Sequence, residues 1–314
     1  MMLPLIYHPI YSDLVLPDGH RYPIHKYQLL YQSILAKMET NRCWQNSFRF
    51  VQPKALSVEQ VKLVHDVDYV DALVSGRLPE AKMRRIGFPW SEALIQRTLC
   101  SAGGTCKTVE MALENQVAIH LSGGYHHAHA DFGSGFCLFN DLALAAHYAL
   151  SVDGIDKVLI IDSDVHHGDG TAALCQQHHD IITVSFHCEK NFPARKPDSN
   201  IDIGLPREAE DDEFLESFTT VVEMAVNLYQ PDFILYDAGV DIHCDDELGY
   251  LNVTSAGIYR RDRFMFELAR RKSLPIASVI GGGYRSNHAD LIPLHLQLVQ
   301  AAKDVFYDEE NNVE

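Results

Sequence analysis

The sequence predicts an α/β fold, a three-layer α/β/α domain over 1–307 built on a mainly parallel central sheet, with a short acidic tail at 308–314. Three observations carry this. Short apolar runs such as Val158-Leu159-Ile160-Ile161 lack polar alternation, as strands buried on both faces do. Between them lie stretches of helical periodicity, so strand and helix alternate from one end to the other. Several of the runs open directly into loops rich in glycine, carboxylate and imidazole, and no repeat, linker or low-complexity tract interrupts the pattern.

Leu3 to His8 reads as a first short strand, followed by a loop through Pro17, Asp18 and Gly19 and a helix from about Pro23 to Glu39. Phe48 to Pro53 is a second strand. Ser57, with Gln60 three positions on, has the form of a capping box, and a further helical turn carries Tyr69 to Val74. Gly76 to Glu92 holds two prolines, mixed charge and no periodicity, so a long surface loop is expected there, rimming the site, with Glu92 the candidate to anchor a substrate backbone. Leu94 to Glu114 is helical, and Gly103-Gly104 within it marks close packing against a neighbour. The later strands are Val117–Leu121, Val158–Ile161, Ile181–Phe186, Phe233–Tyr236 and Ile276–Ile280. The later helices are Asp141–Leu150, Thr171–Gln177, Phe214–Leu228, Thr254–Arg271 and Ala289–Phe306, and the acidic tail is expected to fray.

The polar clusters follow strands. His126-His127, Asp162 to Asp169, Asp241 and Tyr284 each lie just beyond an apolar run, and in a parallel sheet those ends point the same way and share one crevice. Asp164 and His166 are two apart, so an extended backbone projects both to one side, where a single cation could touch an oxygen and a nitrogen. A solvated turn has no need of three Asp and two His within the eight positions from Asp162 to Asp169. Together the loops give Asp164, His166 and Asp241 as three protein ligands with a position left for water, the catalytic style of metal site. Two carboxylates and one imidazole form a harder set than most zinc enzymes use, so ferrous iron or another divalent ion stays open beside zinc.

Composition narrows the functional classes. A formal charge of −17 argues against direct nucleic-acid binding, and an acidic surface favours cationic ligands. The seven cysteines are odd in number and form no Cys-x-x-Cys pair, so they read as reduced thiols. There is no signal-like start and no apolar run of membrane-spanning length, which makes a cytoplasmic protein without a membrane partner the expectation.

Five segments, in order, resemble the histone deacetylase family of the arginase/deacetylase superfamily: Gly123-Gly124-Tyr125-His126-His127, Gly135-Phe136-Cys137, Asp162-Ser163-Asp164-Val165-His166-His167-Gly168-Asp169-Gly170, Ala238-Gly239-Val240-Asp241 and Gly281-Gly282-Gly283-Tyr284. Asp245-Asp246-Glu247-Leu248-Gly249 and Thr254-Ser255-Ala256-Gly257-Ile258 look most like class IV deacetylases and their bacterial relatives. The resemblance implies zinc on Asp164, His166 and Asp241, and a catalytic histidine pair, His126 backed by Asp162 and His127 by Asp169. It implies Tyr284 as the group polarising the amide carbonyl, and Phe136 and Phe192, with Gly135, as walls of an acyl-lysine tunnel. A potassium ion is implied at Asp162, Asp164, His166, Ser185 and Phe186. This sequence departs from the family at Ser163, where an apolar residue is usual, and at Lys26, where an arginine lines the inner, acetate-releasing channel.

The chemistry implied is removal of acetyl or longer acyl groups from a lysine side chain or a related amine. It needs an activated water, a polarised carbonyl and a proton for the leaving amine. An acetylpolyamine or other small amide is an alternative substrate. A dinuclear manganese ureohydrolase would need a second Asp-x-Asp at the last ligand, and Gly239 stands there instead. A non-catalytic acyl-lysine binder would not need the complete set of ligands, histidines and tyrosine.

Overall fold

A computed structural model gives the arrangement of residues 2–308. The strands are β1 (Leu3–Ile6), β2 (Phe48–Val51), β3 (Val117–His120), β4 (Val158–Asp162), β5 (Ile181–Cys188), β6 (Ile201–Leu205), β7 (Phe233–Asp237) and β8 (Ile276–Val279). They form one sheet in the order β2-β1-β3-β8-β7-β4-β5-β6, every neighbouring pair parallel. Every residue of β1, β3, β4, β5, β7 and β8 is buried, as apolar runs without polar alternation require when helices cover both faces.

The helices are α1 (Lys26–Thr40), α2 (Arg42–Ser47), α3 (Val58–Val61), α4 (Val67–Val74), α5 (Glu80–Ile86), α6 (Glu92–Asn115), α7 (Asp141–Leu150), α8 (Asp169–Cys175), α9 (Asp211–Tyr229), α10 (Ser255–Lys272) and α11 (Ile292–Lys303). One layer runs from α6 through α7 to α8, the other from α1 through α11 and α10 to α9, which completes the three-layer architecture. The Ser57–Gln60 capping box is present at the start of α3.

The structure adds α2, which the sequence reading did not anticipate, and corrects that reading elsewhere. The stretch from Gly76 to Glu92 is not an unstructured loop: α5 fills its centre, stopped by Gly87 in the left-handed region (φ 92°), whose N–H donates to Met83 O. Glu92 is the first residue of α6, capped by the Ser91 side chain. The edge strand β6 was missed because half-buried Ile201 and Ile203 alternate with exposed Asp202 and Gly204, so it forms no continuous apolar run. The last helix is three pieces: a 3₁₀ turn at His288–Leu291, then α11, then a wider turn at Asp304–Asp308. The acidic tail lies outside the described residues beyond its first position.

Gly103 and Gly104 do mark a close approach. A Cβ on Gly103 would run into the backbone carbonyl of Lys54, and one on Gly104 into His120 and the Tyr11 hydroxyl. The buried helix α6 can therefore lie against β1, β3 and β8 only because these positions lack side chains. Gly103→Ala should destabilise the fold by about 1 to 3 kcal/mol, since the clash is with backbone. Chemical denaturation would check this; an unchanged midpoint would mean that the Lys54 segment yields freely.

Candidate active site

Parallel register brings the chemistry together. Asp162, the last residue of β4, is paired with Ser185 on one side and Asp237 on the other. Beyond it the chain is held by its own carboxylates: Asp164 N–H donates to Asp162 Oδ1 (3.1 Å) and His166 N–H to Asp164 Oδ1 (2.9 Å). The loop after β7 is tied in by Val165 N–H to Asp241 Oδ1 (2.8 Å), and the loop after β8 by Gly282 N–H to Asp164 Oδ2 (3.0 Å). From α10 the buried Arg261 donates to Gly239 O (2.6 Å) and Ala238 O (3.2 Å), fixing the turn that presents Asp241.

Asp164, His166 and Asp241 are all buried, and one donor atom from each lies within 4.8 Å of the others. His166 Nδ1 is 2.9 Å from Asp164 Oδ1 and 3.2 Å from Asp241 Oδ2, yet no donor reaches Asp241 Oδ2 in hydrogen-bonding geometry. A buried carboxylate oxygen without a donor is costly unless a positive charge faces it. Burial pushes the His166 imidazole down, but Asp164 and Asp241 outweigh it and raise its pKa to about 10, so the cluster draws positive charge. Gly282 completes the cradle, since a Cβ there would strike both Asp164 Oδ2 and Asp241 Oδ2. These residues fit a divalent cation.

The histidine pair stands beside this cluster. His126 Nδ1 is 2.7 Å from Asp162 Oδ2, His127 Nδ1 is 2.6 Å from Asp169 Oδ1, and the two Nε2 atoms are 3.1 Å apart. The two rings differ in charge. Burial opposes the charged form of His126, but Asp162 and Asp164 overcome it and hold its pKa well above the ordinary value. Burial and then the His126 charge push His127 down to about 3, against the pull of Asp169, which His129 also engages at 2.9 Å.

Above the histidines a pocket of about 750 Å³ opens to the surface, lined by His127, Gly135, Phe136, His166, Phe192 and Tyr284 among others. The Phe192 ring meets His127 edge-on at 4.8 Å, and Phe136 lies 6.1 Å from Tyr284. Gly135 has to be glycine, because a Cβ would press into the His127 ring (2.5 Å) and Phe192 (3.2 Å). Burial, with Asp164 and Asp241 nearby, raises the Tyr284 phenol well above 10 and keeps it a donor.

Tyr284 also borders a second cavity of about 20 Å³ with Tyr22, Lys26, Tyr27 and Gly282. There Lys26 Nζ donates to Gly281 O (2.8 Å), and burial lowers its pKa to about 8 although Asp241 and Asp164 resist. Ser185 and Phe186, the other residues of the expected potassium site, follow from the Asp162–Ser185 pairing and sit on the next strand.

Several residues escaped the sequence reading. Asp237 joins His126 and Asp162 in a second buried group; neither of its oxygens has a hydrogen-bond partner, and burial with Asp162 and Asp164 raises its pKa well above the carboxylate range. Its pairing with Asp162 was hidden until strand order was known. Asp141 accepts from Tyr125 N–H (2.7 Å) and Gly124 N–H (3.1 Å), holding the loop before the histidines. Glu92 does not line the pocket, whereas Arg21, Arg85, Arg195 and Glu247 do.

Comparison with known proteins agrees with this geometry. The model of the histone deacetylase domain matches residues 21–297. An uncharacterised protein of Picosynechococcus sp. (strain ATCC 27264 / PCC 7002 / PR-6) is 41% identical over 308 residues, 98% of this chain and 100% of that protein. Histone deacetylase 2 of Arabidopsis thaliana is 30% identical over 77% of this chain and 65% of its own length. The acetoin utilization protein AcuC of Staphylococcus aureus (strain COL) is 31% identical over 87% of this chain and 76% of its own. With the family model covering most of the chain and relatives at this identity, the chain belongs to the histone deacetylase family.

Proposed function

We propose that the protein is a metal-dependent amide hydrolase that removes acetyl or longer acyl groups from lysine side chains or related amines. The observation that carries this reading is the placement of the carboxylate-backed His126–His127 pair and the Tyr284 phenol around a three-donor cation cradle at the floor of an open pocket. Asp164, His166 and Asp241 would hold zinc, with ferrous iron the alternative that two carboxylates admit. When bound, that cation supplies an activated water and polarisation of the amide carbonyl. A potassium ion at Asp162, Asp164, His166, Ser185 and Phe186 would offset the remaining carboxylate charge. The free cysteines fit a cytoplasmic enzyme.

The protein's own groups divide the remaining work. His127 keeps its Nδ1 proton, donated in a hydrogen bond to Asp169, and so has its lone pair at Nε2; of the two histidines it is the one that lines the pocket, so it takes the water's proton and returns it to the leaving amine. His126, held as a cation by Asp162, keeps His127 neutral and opposes the negative charge that grows during attack. Tyr284 donates to the carbonyl oxygen as that oxygen gains charge. Phe136 and Phe192 pack along the apolar chain of the acyl-amine.

Asp241→Ala removes one of three ligands and should lower both bound metal and turnover. Elemental analysis checks it, and a variant with full metal and full activity would show that the third ligand lies elsewhere. His127→Ala should keep the metal and lose about 10²-fold or more in turnover, with His126→Ala milder. Kinetics at matched metal occupancy would expose an exchange of roles if the severities were reversed. Tyr284→Phe should lose about 10²- to 10³-fold in turnover with metal content and stability nearly unchanged. Equal deacylation rates for it and the wild type would remove the phenol from the mechanism.

A further inference from the structure

The mouth of the active-site pocket reverses the charge of the protein. The chain carries 43 acidic and 26 basic side chains, yet the rim bears Arg21, Arg85 and Arg195 against one acid, Glu247. The only other acid in the lining, Asp169, is matched by His127 and His129. None of the three arginines has an ion-pair partner among the described residues.

The arginines come from three separate segments, each pinned. His20, beside Arg21, reaches Gly87 O at 2.8 Å through Nε2. Arg85, near the end of α5, stacks its guanidinium 3.8 Å from the centre of the Phe132 ring. Arg195 sits on a loop gathered by Lys196, whose Nζ donates to Glu189 O (3.1 Å), Asn191 O (3.0 Å) and Pro193 O (2.8 Å). That loop is fastened across the pocket by Asn191 Nδ2 donating to Leu248 O at 3.0 Å. Glu247 is itself occupied, accepting from Ser286 N–H (2.5 Å) and Ser286 Oγ (2.9 Å). Three exposed guanidiniums without an ion pair, that of Arg85 stacked on Phe132 and those of Arg21 and Arg195 carried on pinned segments, concentrate positive potential around a concave opening, and each offers a fork matched to a carboxylate or phosphate.

On the amide-hydrolase reading above, we infer that the substrate presents negative charge beside its acyl-amine: an acyl-lysine flanked by acidic residues, or a small acylated amine that bears a carboxylate. The apolar acyl chain descends between Phe136 and Phe192 while the anionic groups stay at the rim. A polyamine, whose further amines are cationic, would bring like charge against all three arginines. The acidic composition suggested cationic ligands, and the rim selects the opposite.

The test is a set of acetyl-lysine peptides identical except for Glu, Ala or Lys on both sides of the acetyl-lysine, together with Nε-acetyl-lysine carrying a free carboxylate and an acetylpolyamine. At low ionic strength the expected kcat/KM falls in the order Glu, Ala, Lys, with about tenfold or more between the ends, and the spread shrinks in about 0.5 M salt. The combined variant Arg21→Glu, Arg85→Glu, Arg195→Glu, verified as folded by circular dichroism, should invert the order. Acetyl-lysine processed as well as the Glu peptide would support the anion preference and identify a small molecule as its source. Equal rates on all three peptides, a preference for the polyamine, or an order that survives the charge reversal would overturn the inference and leave the hydrolase reading standing. No turnover of any substrate by metal-loaded wild type would overturn both.

Discussion

Four carboxylates, Asp162, Asp164, Asp237 and Asp241, are buried together at the carboxyl ends of β4 and β7, and the rest of the structure is arranged around the difficulty of keeping them there. Like charges at this spacing in a dry interior cannot all stay ionised without compensation. Each is treated differently. Asp162 faces His126, Asp164 accepts from His166 and the Gly282 N–H, and burial followed by the charges of Asp162 and Asp164 pushes the Asp237 carboxyl well above the usual carboxylate range. Asp241 retains an oxygen without a donor. That residual imbalance is what fits the cluster to a cation, where a hydrogen-bonded turn would satisfy every oxygen.

The sheet supplies the geometry that forces the carboxylates together. With every strand parallel, the pairings of Asp162 with Ser185 and with Asp237 place three polar side chains in one row at one edge. Slipping β7 by a single residue would turn Asp237 to the opposite face and shift the loop that carries Asp241. The slip is resisted from behind. Arg261, fully buried in α10, pairs with Asp262 and bonds the carbonyls of Ala238 and Gly239, so a helix remote from the pocket sets where Asp241 stands.

This explains which parts were legible in the sequence. Fully buried strands announce themselves as apolar runs, and Asp164-x-His166 and the His126-His127 pair follow such runs directly, so their convergence could be read from the parallel-sheet rule alone. The edge strand β6 has one face toward solvent, and its Ile201, Ile203 and Leu205 are separated by Asp202 and Gly204, so no continuous apolar run stands out. The short helix α5 lacks a long periodic stretch, since its seven residues include four charged ones, and its ends are defined by Pro79 and by the backbone of Gly87. The burial of Arg97 and Arg261 was invisible because Arg97 is satisfied by Tyr11 O and the Tyr22 hydroxyl, far away in the chain, and Arg261, beside its partner Asp262, also needs the distant carbonyl of Gly239. The arginine rim is assembled from three segments more than sixty positions apart at the closest, so no local pattern could reveal it.

Two adjacent histidines are driven in opposite directions, His126 toward the cation and His127 toward the neutral ring, by what stands behind them. His126 faces Asp162 with Asp164 close by, whereas His127 shares Asp169 with a second histidine, His129, which divides that carboxylate's pull. Once His126 is charged, the 3.1 Å separation of the Nε2 atoms makes a second charge on His127 costly. The pair therefore settles into one cation and one base, and the base is the ring that lines the pocket. The difference between the two rings thus arises one layer behind the pocket, in the contrast between an aspartate reinforced by a neighbouring carboxylate and one shared between two imidazoles.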